Sequence, residues 1–142
     1  MHPRYYRYQK RLDEPRDQMI LSNKESVAAL TAAKQALEDY RGKFWLGNLP
    51  KVEREFHELD LLDESERFMA IDIALQEITA TDRCGPEPPH DVSDHPPFRN
   101  LQLYAFCWNS AEFKKRMYMK FALASDCTKT KLVVYSFHES RF

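Results

Sequence analysis

Glycine is scarce in this chain, with 3 residues in 142 against 8 prolines. Neither GxGxxG nor GxxxxGK followed by Ser or Thr occurs, so a glycine-rich phosphate cradle is excluded. Long apolar runs are missing too, and no stretch is sufficient to span a bilayer as a helix. The opening "MHPRYYRYQKRLDEPRD" is polar and basic, unlike a signal peptide. Cysteine is sparse and odd in number: Cys84, Cys107 and Cys127 lack CxxC spacing. A reduced, cytoplasmic protein is expected rather than a disulfide framework. Charge of one sign is also lacking overall, since the net charge is −1.

What is present is an uneven distribution of that charge. Residues 43–82 hold ten acidic and four basic side chains, whereas residues 111–142 hold seven basic and three acidic ones. Positive charge therefore gathers in the C-terminal part, and a local basic surface is what polyanion binding requires. A length of 142 residues with 43% hydrophobic and 30% charged residues fits one packed domain.

Residues 1–22 contain three Tyr and five Arg or Lys without helical or strand periodicity. They read as a basic, aromatic arm preceding a single domain over 23–142. The arm is a mobile terminus or a segment that stacks on RNA or a partner. "SNKESVAALTAAKQALEDYRG" reads as a helix. Ser22 or Asn23 is its cap, Val27, Leu30, Ala33 or Lys34, and Leu37 form its apolar stripe, and Gly42 is the stop. In "KFWLGNLPKVEREF", Lys43 to Leu46 suit a short strand and Pro50 a helical turn. "DESERFMAIDIALQEIT" reads as a further helix. Asp63 and Glu66 are spaced for a capping box, and Phe68, Ile71, Leu75 and Ile78 form its buried stripe. Its acids Glu64, Glu66, Asp72 and Glu77 are expected on a solvated face.

"DRCGPEPPHDVSDHPPFRN" has five prolines in nineteen residues and reads as a loop. His90, Asp94 and His95 within it are metal-ligand types, but no second cluster completes a site, and neither metal nor cofactor is expected. From residue 101 the period changes to two. "LQLYAFCW", "RMYMKFALA" and "KLVVYSFHE" read as strands, the last two joined as an antiparallel hairpin. The expected architecture is α+β, with N-terminal helices packed on a small C-terminal antiparallel sheet.

"RMYMKFAL" carries the functional signal. Met117, Met119, Phe121 and Leu123 fall on one face of an extended strand, and Arg116, Tyr118 and Lys120 on the other. The hairpin brings His138 and Arg141 to the same region, and Arg83 and His90 lie in a loop that crosses near the sheet. Arg, Lys, Tyr and His together supply what RNA cleavage by 2′-OH attack on the adjacent phosphate needs. That is an acceptor for the hydroxyl proton, a donor to the departing 5′-oxygen, and cations against the phosphorane charge. The plainer alternatives stay open: Tyr118 as a half-buried strand residue, Lys120 as ordinary surface, His138 as incidental.

"RMYMKFALASDCTKTKLVVYSFHESRF" resembles the end of MqsR-type toxins, which run Val-Tyr-Leu-Lys-Ile, a turn, then a strand ending Val-Ser-Phe-Lys-Glu. "ELDLLDESERFMAIDIALQEITATDR" resembles that family's preceding segment, so the likeness covers roughly residues 56–142. The resemblance implies a RelE-like fold, metal-independent mRNA cleavage and a cognate antitoxin partner. Carried over by position, it implies Tyr118 as an active-site Tyr, His138 in place of a catalytic Lys, and Arg83 near a further basic residue. The family's active-site Gln falls on Ala105, with Gln102 and Asn109 nearby. The site expected on these grounds has His138, Tyr118, Arg83 and Lys120 as catalytic residues. Arg116, Arg141, Lys114, Lys115 and Gln102 are its RNA contacts. The alternative is a non-catalytic RNA-binding or protein-interaction module on the same basic sheet face.

Overall fold

The structure, a computed structural model, describes residues 15–84, 101–125 and 128–141, with side chains from Asn23 onward. The first helix, α1, spans Pro15–Asp39 and so begins seven residues before the expected cap at Ser22. Pro15 opens it, a position where a missing N–H costs no helical hydrogen bond. The supposed arm is thus helical from residue 15, and residues 1–14 lie outside the described residues. The buried stripe of α1 is Ser26, Ala29, Leu30, Ala33, Ala36 and Leu37. Val27, expected in that stripe, is exposed instead, because the small residues at 29, 33 and 36 centre the buried face one step round the helix. The stop at Gly42 is as expected. Arg41 and Gly42 both take positive φ, 56° and 88°, and the Gly42 N–H donates to Leu37 O at 2.7 Å.

After this turn come β1 (Trp45–Leu46), α2 (Leu49–Glu58), α3 (Glu64–Glu77), a short 3₁₀ turn at Ala80–Asp82 and β2 (Arg83–Cys84). Pro50 lies in the first turn of α2, which runs for ten residues. The α3 capping box is present: Glu66 N donates to Asp63 Oδ1 at 2.8 Å, and Asp63 N donates to Glu66 Oε1 at 3.2 Å. Ile71, Leu75 and Ile78 are buried with Ala70 and Ala74, and Phe68 packs at the margin. Glu77 departs from the solvated face expected for the acids of this helix. Its carboxylate accepts from Trp108 Nε1 at 2.9 Å, Ser110 Oγ at 2.7 Å and Glu112 N at 3.0 Å, and ties the end of α3 to the sheet. Burial pushes this carboxyl up, but these donors outweigh it and hold it below its ordinary range.

The strands β3 (Tyr104–Ser110), β4 (Lys115–Ser125) and β5 (Thr130–Glu139) complete the fold. The sheet order is β1-β5-β4-β3-β2. β2–β3, β3–β4 and β4–β5 are antiparallel, but β1 runs parallel to β5, pairing Trp45 with Val133 and Leu46 with Val134. The sheet is therefore mixed rather than purely antiparallel, and the architecture is α+β. Residues 83 and 84, expected in the loop, form an edge strand, and residues 85–100, with His90, Asp94 and His95, lie outside the described residues.

The three helices share one core with the first face of the sheet. Phe56, Phe106, Phe121, Phe137, Met117 and Met119 are all fully buried there. The period-two reading of "RMYMKFAL" holds for that face, with Leu123 partly buried at its margin. A bulge interrupts β5, because Lys120 pairs with Ser136 while Phe121 pairs with Val134, leaving Tyr135 as the extra residue. Tyr135 joins a smaller cluster on the second face with Leu103, Ala122 and Val133. Its ring lies where Gly47 has no side chain, and a methyl group there would overlap it.

Candidate functional site

The second face of the sheet brings Tyr118 and His138 together. They are cross-strand partners on β4 and β5, and their rings stack with centroids 5.0 Å apart at 25°. Two-residue alternation places Arg116 and Lys120 on the same face as Tyr118. Arg116 is exposed, with Nη1 3.4 Å from Asn109 Oδ1 across the strand. Lys120 is half-buried opposite Ser136. The row extends to β3, where Cys107 pairs with Tyr118, and then to Cys84 on β2, with the two sulfurs 3.0 Å apart and unbridged. Burial and the Cys107 thiol push Cys84 up to about 12, so its thiol stays protonated near neutral pH.

His138 is only 7% exposed. Its Nδ1 lies 2.7 Å from Glu139 O, and a carbonyl can only accept, so Nδ1 carries the proton. Nε2 is the atom left to exchange a proton, and it faces Glu55 Oε2 at 3.9 Å. Glu55 is 4% exposed. Its Oε1 accepts from Phe137 N at 2.9 Å, and its Oε2 pairs with Lys51 Nζ at 3.1 Å. Lys51 also donates to Tyr135 O at 3.0 Å and to Ser136 Oγ at 2.5 Å.

This arrangement follows from where β1 ends. It covers β5 only as far as Val134, where Gly47 N donates to Val134 O at 2.9 Å. Beyond it the edge of β5 would expose unpaired backbone groups, and α2 lies there instead. Lys51 and Glu55, one turn apart, serve the Tyr135 carbonyl and the Phe137 amide in place of a neighbouring strand. A buried carboxylate and a partly exposed ammonium thereby stand beside His138.

Sequence reasoning missed Lys51 and Glu55. Both lie in "PKVEREF", where they look like an ordinary i, i+4 surface pair, and their partners are more than 80 residues away. The one available signal is that Glu55 adjoins the buried Phe56 on a helix of strongly amphipathic pattern.

Arg83 is not brought to this face. Opposite Phe106 on β3, it points to the helix side, with its guanidinium 5.1 Å above the Tyr104 ring and Nη1 3.0 Å from the buried Ser26 Oγ. The expectation that the 82–100 segment carries Arg83 across the Tyr118 face is corrected: alternation along a two-residue edge strand sends Cys84 to that face and Arg83 away from it. Lys114, at φ 57°, and Lys115 are exposed at the β3–β4 turn. Arg141 is exposed just past β5, and Gln102 is half-buried just before β3. A cleft of about 560 Å³ lies elsewhere, between the turn after α1, β1, α2 and the start of α3, with Arg41, Lys43, Arg67 and Phe68 on its walls. None of the expected site residues lines it. Among the described residues, no group of three or more His, Cys, Asp or Glu is placed to hold a metal ion. No described helix is long and apolar enough to cross a membrane. No family model, no curated protein and no solved structure matches the chain.

Proposed function

We propose that this protein is a metal-independent ribonuclease of the RelE-like, MqsR-type toxin class, cleaving RNA by 2′-OH attack on the adjacent phosphate and held in check by a cognate antitoxin. The observation that carries this reading is the Tyr118–His138 pair, stacked across β4 and β5 with Lys120 and Arg116 on the same face. An imidazole with one free nitrogen, a phenol and two cations cover proton transfer and phosphorane stabilisation. In this reading Tyr118 and Lys120 meet the scissile phosphate, Arg116 grips a neighbouring one, and His138 transfers protons through Nε2. Glu55 holds a negative charge beside that nitrogen. Arg83 serves the fold, through Ser26 and Tyr104, and not the reaction.

A second reading is favoured by the burial of His138 and its engagement by Glu139 O: the same basic face binds RNA or an acidic partner without cleaving it. Incubation of the purified protein with mRNA in the presence of EDTA separates the two. Cleavage that leaves 2′,3′-cyclic phosphate ends and is lost in His138→Gln and Tyr118→Phe supports the ribonuclease. Intact RNA that is nevertheless bound, with a shift unaffected by those changes, supports the binding module.

A further inference from the structure

A second concentration of cations and aromatic rings lies at the other end of β5. Tyr40 and Trp45 meet edge to face, with ring centroids 4.9 Å apart and planes at 85°. Lys43 Nζ and Lys131 Nζ each stand 5.0 Å from the Trp45 ring, and Lys129 Nζ stands 5.1 Å from the Tyr40 ring. Arg41, exposed and held at φ 56°, adjoins them. Both rings are half-buried, while Lys43 and Lys129 are exposed. The nearest acid along the chain, Asp39, is occupied by Gln35 Nε2 at 2.8 Å. Among the described residues neither Lys43 nor Lys129 is paired with a carboxylate.

Three parts of the chain build this cluster. The left-handed turn after α1 contributes Tyr40, Arg41 and Lys43, the parallel strand β1 contributes Trp45, and the start of β5 contributes Lys129 and Lys131. Trp45 packs on the second face of the sheet, with Val133 and Ala122, and Lys131 alternates onto that same face. The second face therefore has two polar ends. Lys131 and Trp45 stand at one, and Lys120, Tyr118 and His138 at the other. His138 lies seven positions after Lys131 on β5, a span on the order of 20 Å at ~3.3 Å per residue.

We propose that the Tyr40–Trp45 cluster is a docking platform for single-stranded RNA. Lys43, Lys129 and Arg41 meet successive phosphates, and a base stacks on Trp45 by displacing one of the lysines that now covers the ring. Flat rings flanked by cations suit single strands, because every base has a face that stacks and every nucleotide a phosphate. An acidic protein would use the cations and leave the rings unused. The inference rests on the RNA reading of the sheet for the identity of the polymer, but it does not require cleavage.

The test uses a 5′-labelled, 2′-O-methylated oligouridylate, which binds but lacks the attacking hydroxyl. Anisotropy is measured over a salt series with the wild type, Lys43→Ala/Lys129→Ala and His138→Gln. Two lost phosphate contacts lower the salt slope by about 1.4, at ~0.7 per contact for single strands, and weaken binding at 0.1 M salt by about tenfold or more. Binding also quenches tryptophan emission through Trp45, since Trp108 is buried with its Nε1 bound to Glu77. Both lysines are exposed, so the double variant keeps the fold. An unchanged slope and affinity in that variant overturns the platform. So does polyglutamate that binds as tightly as the oligonucleotide without quenching, an outcome that assigns the patch to an acidic protein. If the double lysine variant loses binding while unmodified mRNA stays intact in EDTA, the ribonuclease reading falls while the platform stands. Cleavage with binding indifferent to the two lysines gives the reverse.

Discussion

Glu55 is the residue whose removal has the largest consequence that can be worked out from the geometry. Glu55→Ala strips three partners at once. The Phe137 N–H, on a fully buried residue, loses its acceptor, which costs ~1–3 kcal/mol for an orphaned buried donor. The one buried methylene removed, Cγ, adds ~0.8 kcal/mol. The pair with Lys51, whose side chain is 37% exposed, adds only about 0.5 kcal/mol because solvent screens it. The sum is roughly 2–4 kcal/mol. Glu55→Gln keeps the methylenes and an amide oxygen for the Phe137 N–H, and loses only the charge beside Lys51 and His138, about 1 kcal/mol. The two variants should thus differ by about 2 kcal/mol. At a urea m-value of ~1.5–2 kcal/mol per molar, that is a midpoint separation of roughly 1 M. Urea unfolding followed by circular dichroism reads it directly, with amide exchange at Phe137 as the local reporter. Equal midpoints for Ala and Gln, or an Ala variant within 1 kcal/mol of the wild type, would refute the idea that this carboxylate closes the edge of β5.

On the ribonuclease reading, His138→Gln should lower RNA cleavage ~10²-fold or more, the lower range for general acid–base help, while leaving binding nearly intact, as a gel assay with cyclic-phosphate detection would show. His138→Lys retains more activity than Gln if charge is the main task, and no more if proton transfer is. Glu77, held below the ordinary carboxylate range by Ser110, Trp108 and two backbone amides against the opposing effect of burial, stabilises the fold in its ionised form. That contribution is complete above pH ~4.3 and fades as pH falls through the lowered folded-state value, so Glu77→Gln should flatten the acid side of a stability–pH profile measured by thermal melts. Cys84, pushed up to about 12 by burial and the Cys107 thiol, should resist iodoacetamide at pH 8 in the folded protein and react readily in urea. Equal rates by mass spectrometry in both conditions would show that the thiol is not held protonated.

The parts of this fold legible in the sequence are those set by neighbours along the chain. The Asp63–Glu66 box, the glycine stop at 42 and the alternation in "RMYMKFAL" are local, and the structure shows each. The hairpin also follows from its turn signals, but the register of its turn would pair Tyr118 with Phe137; the bulge at Tyr135, which nothing in the sequence marks, shifts the partner to His138. What was not legible depends on partners distant in sequence. A two-residue strand such as Trp45–Leu46 has no period to detect, and its parallel pairing with β5 joins residues 88 apart. Arg83 is similar: which face it takes depends on its register with Phe106, not on anything in "TDRCG". The early start of α1 was hidden because Arg, Asp and Gln at 16–18 give no apolar stripe, although Pro15 was a usable signal for a first turn.

The burial of His138 alters how the work of the site is divided. At the sequence level it is the natural residue to touch RNA. In the folded chain its Nδ1 is tied to Glu139 O, its ring is stacked under Tyr118, and Nε2 looks toward Glu55. The half-buried Tyr118 and Lys120 and the exposed Arg116 are the groups that phosphate reaches first. In the ribonuclease reading, then, the phenol is the group in contact with the reacting atoms. His138 acts behind it, orienting the ring by stacking and exchanging protons through Nε2 beside Glu55. This ordering has a kinetic consequence. Tyr118→Phe preserves the stack and removes only the hydroxyl, so it should lose at least as much cleavage as His138→Gln. Were Tyr118→Phe to cleave at the wild-type rate while His138→Gln failed, the imidazole itself would have to reach the phosphate, and the 7% exposure of His138 would have to rise when RNA binds.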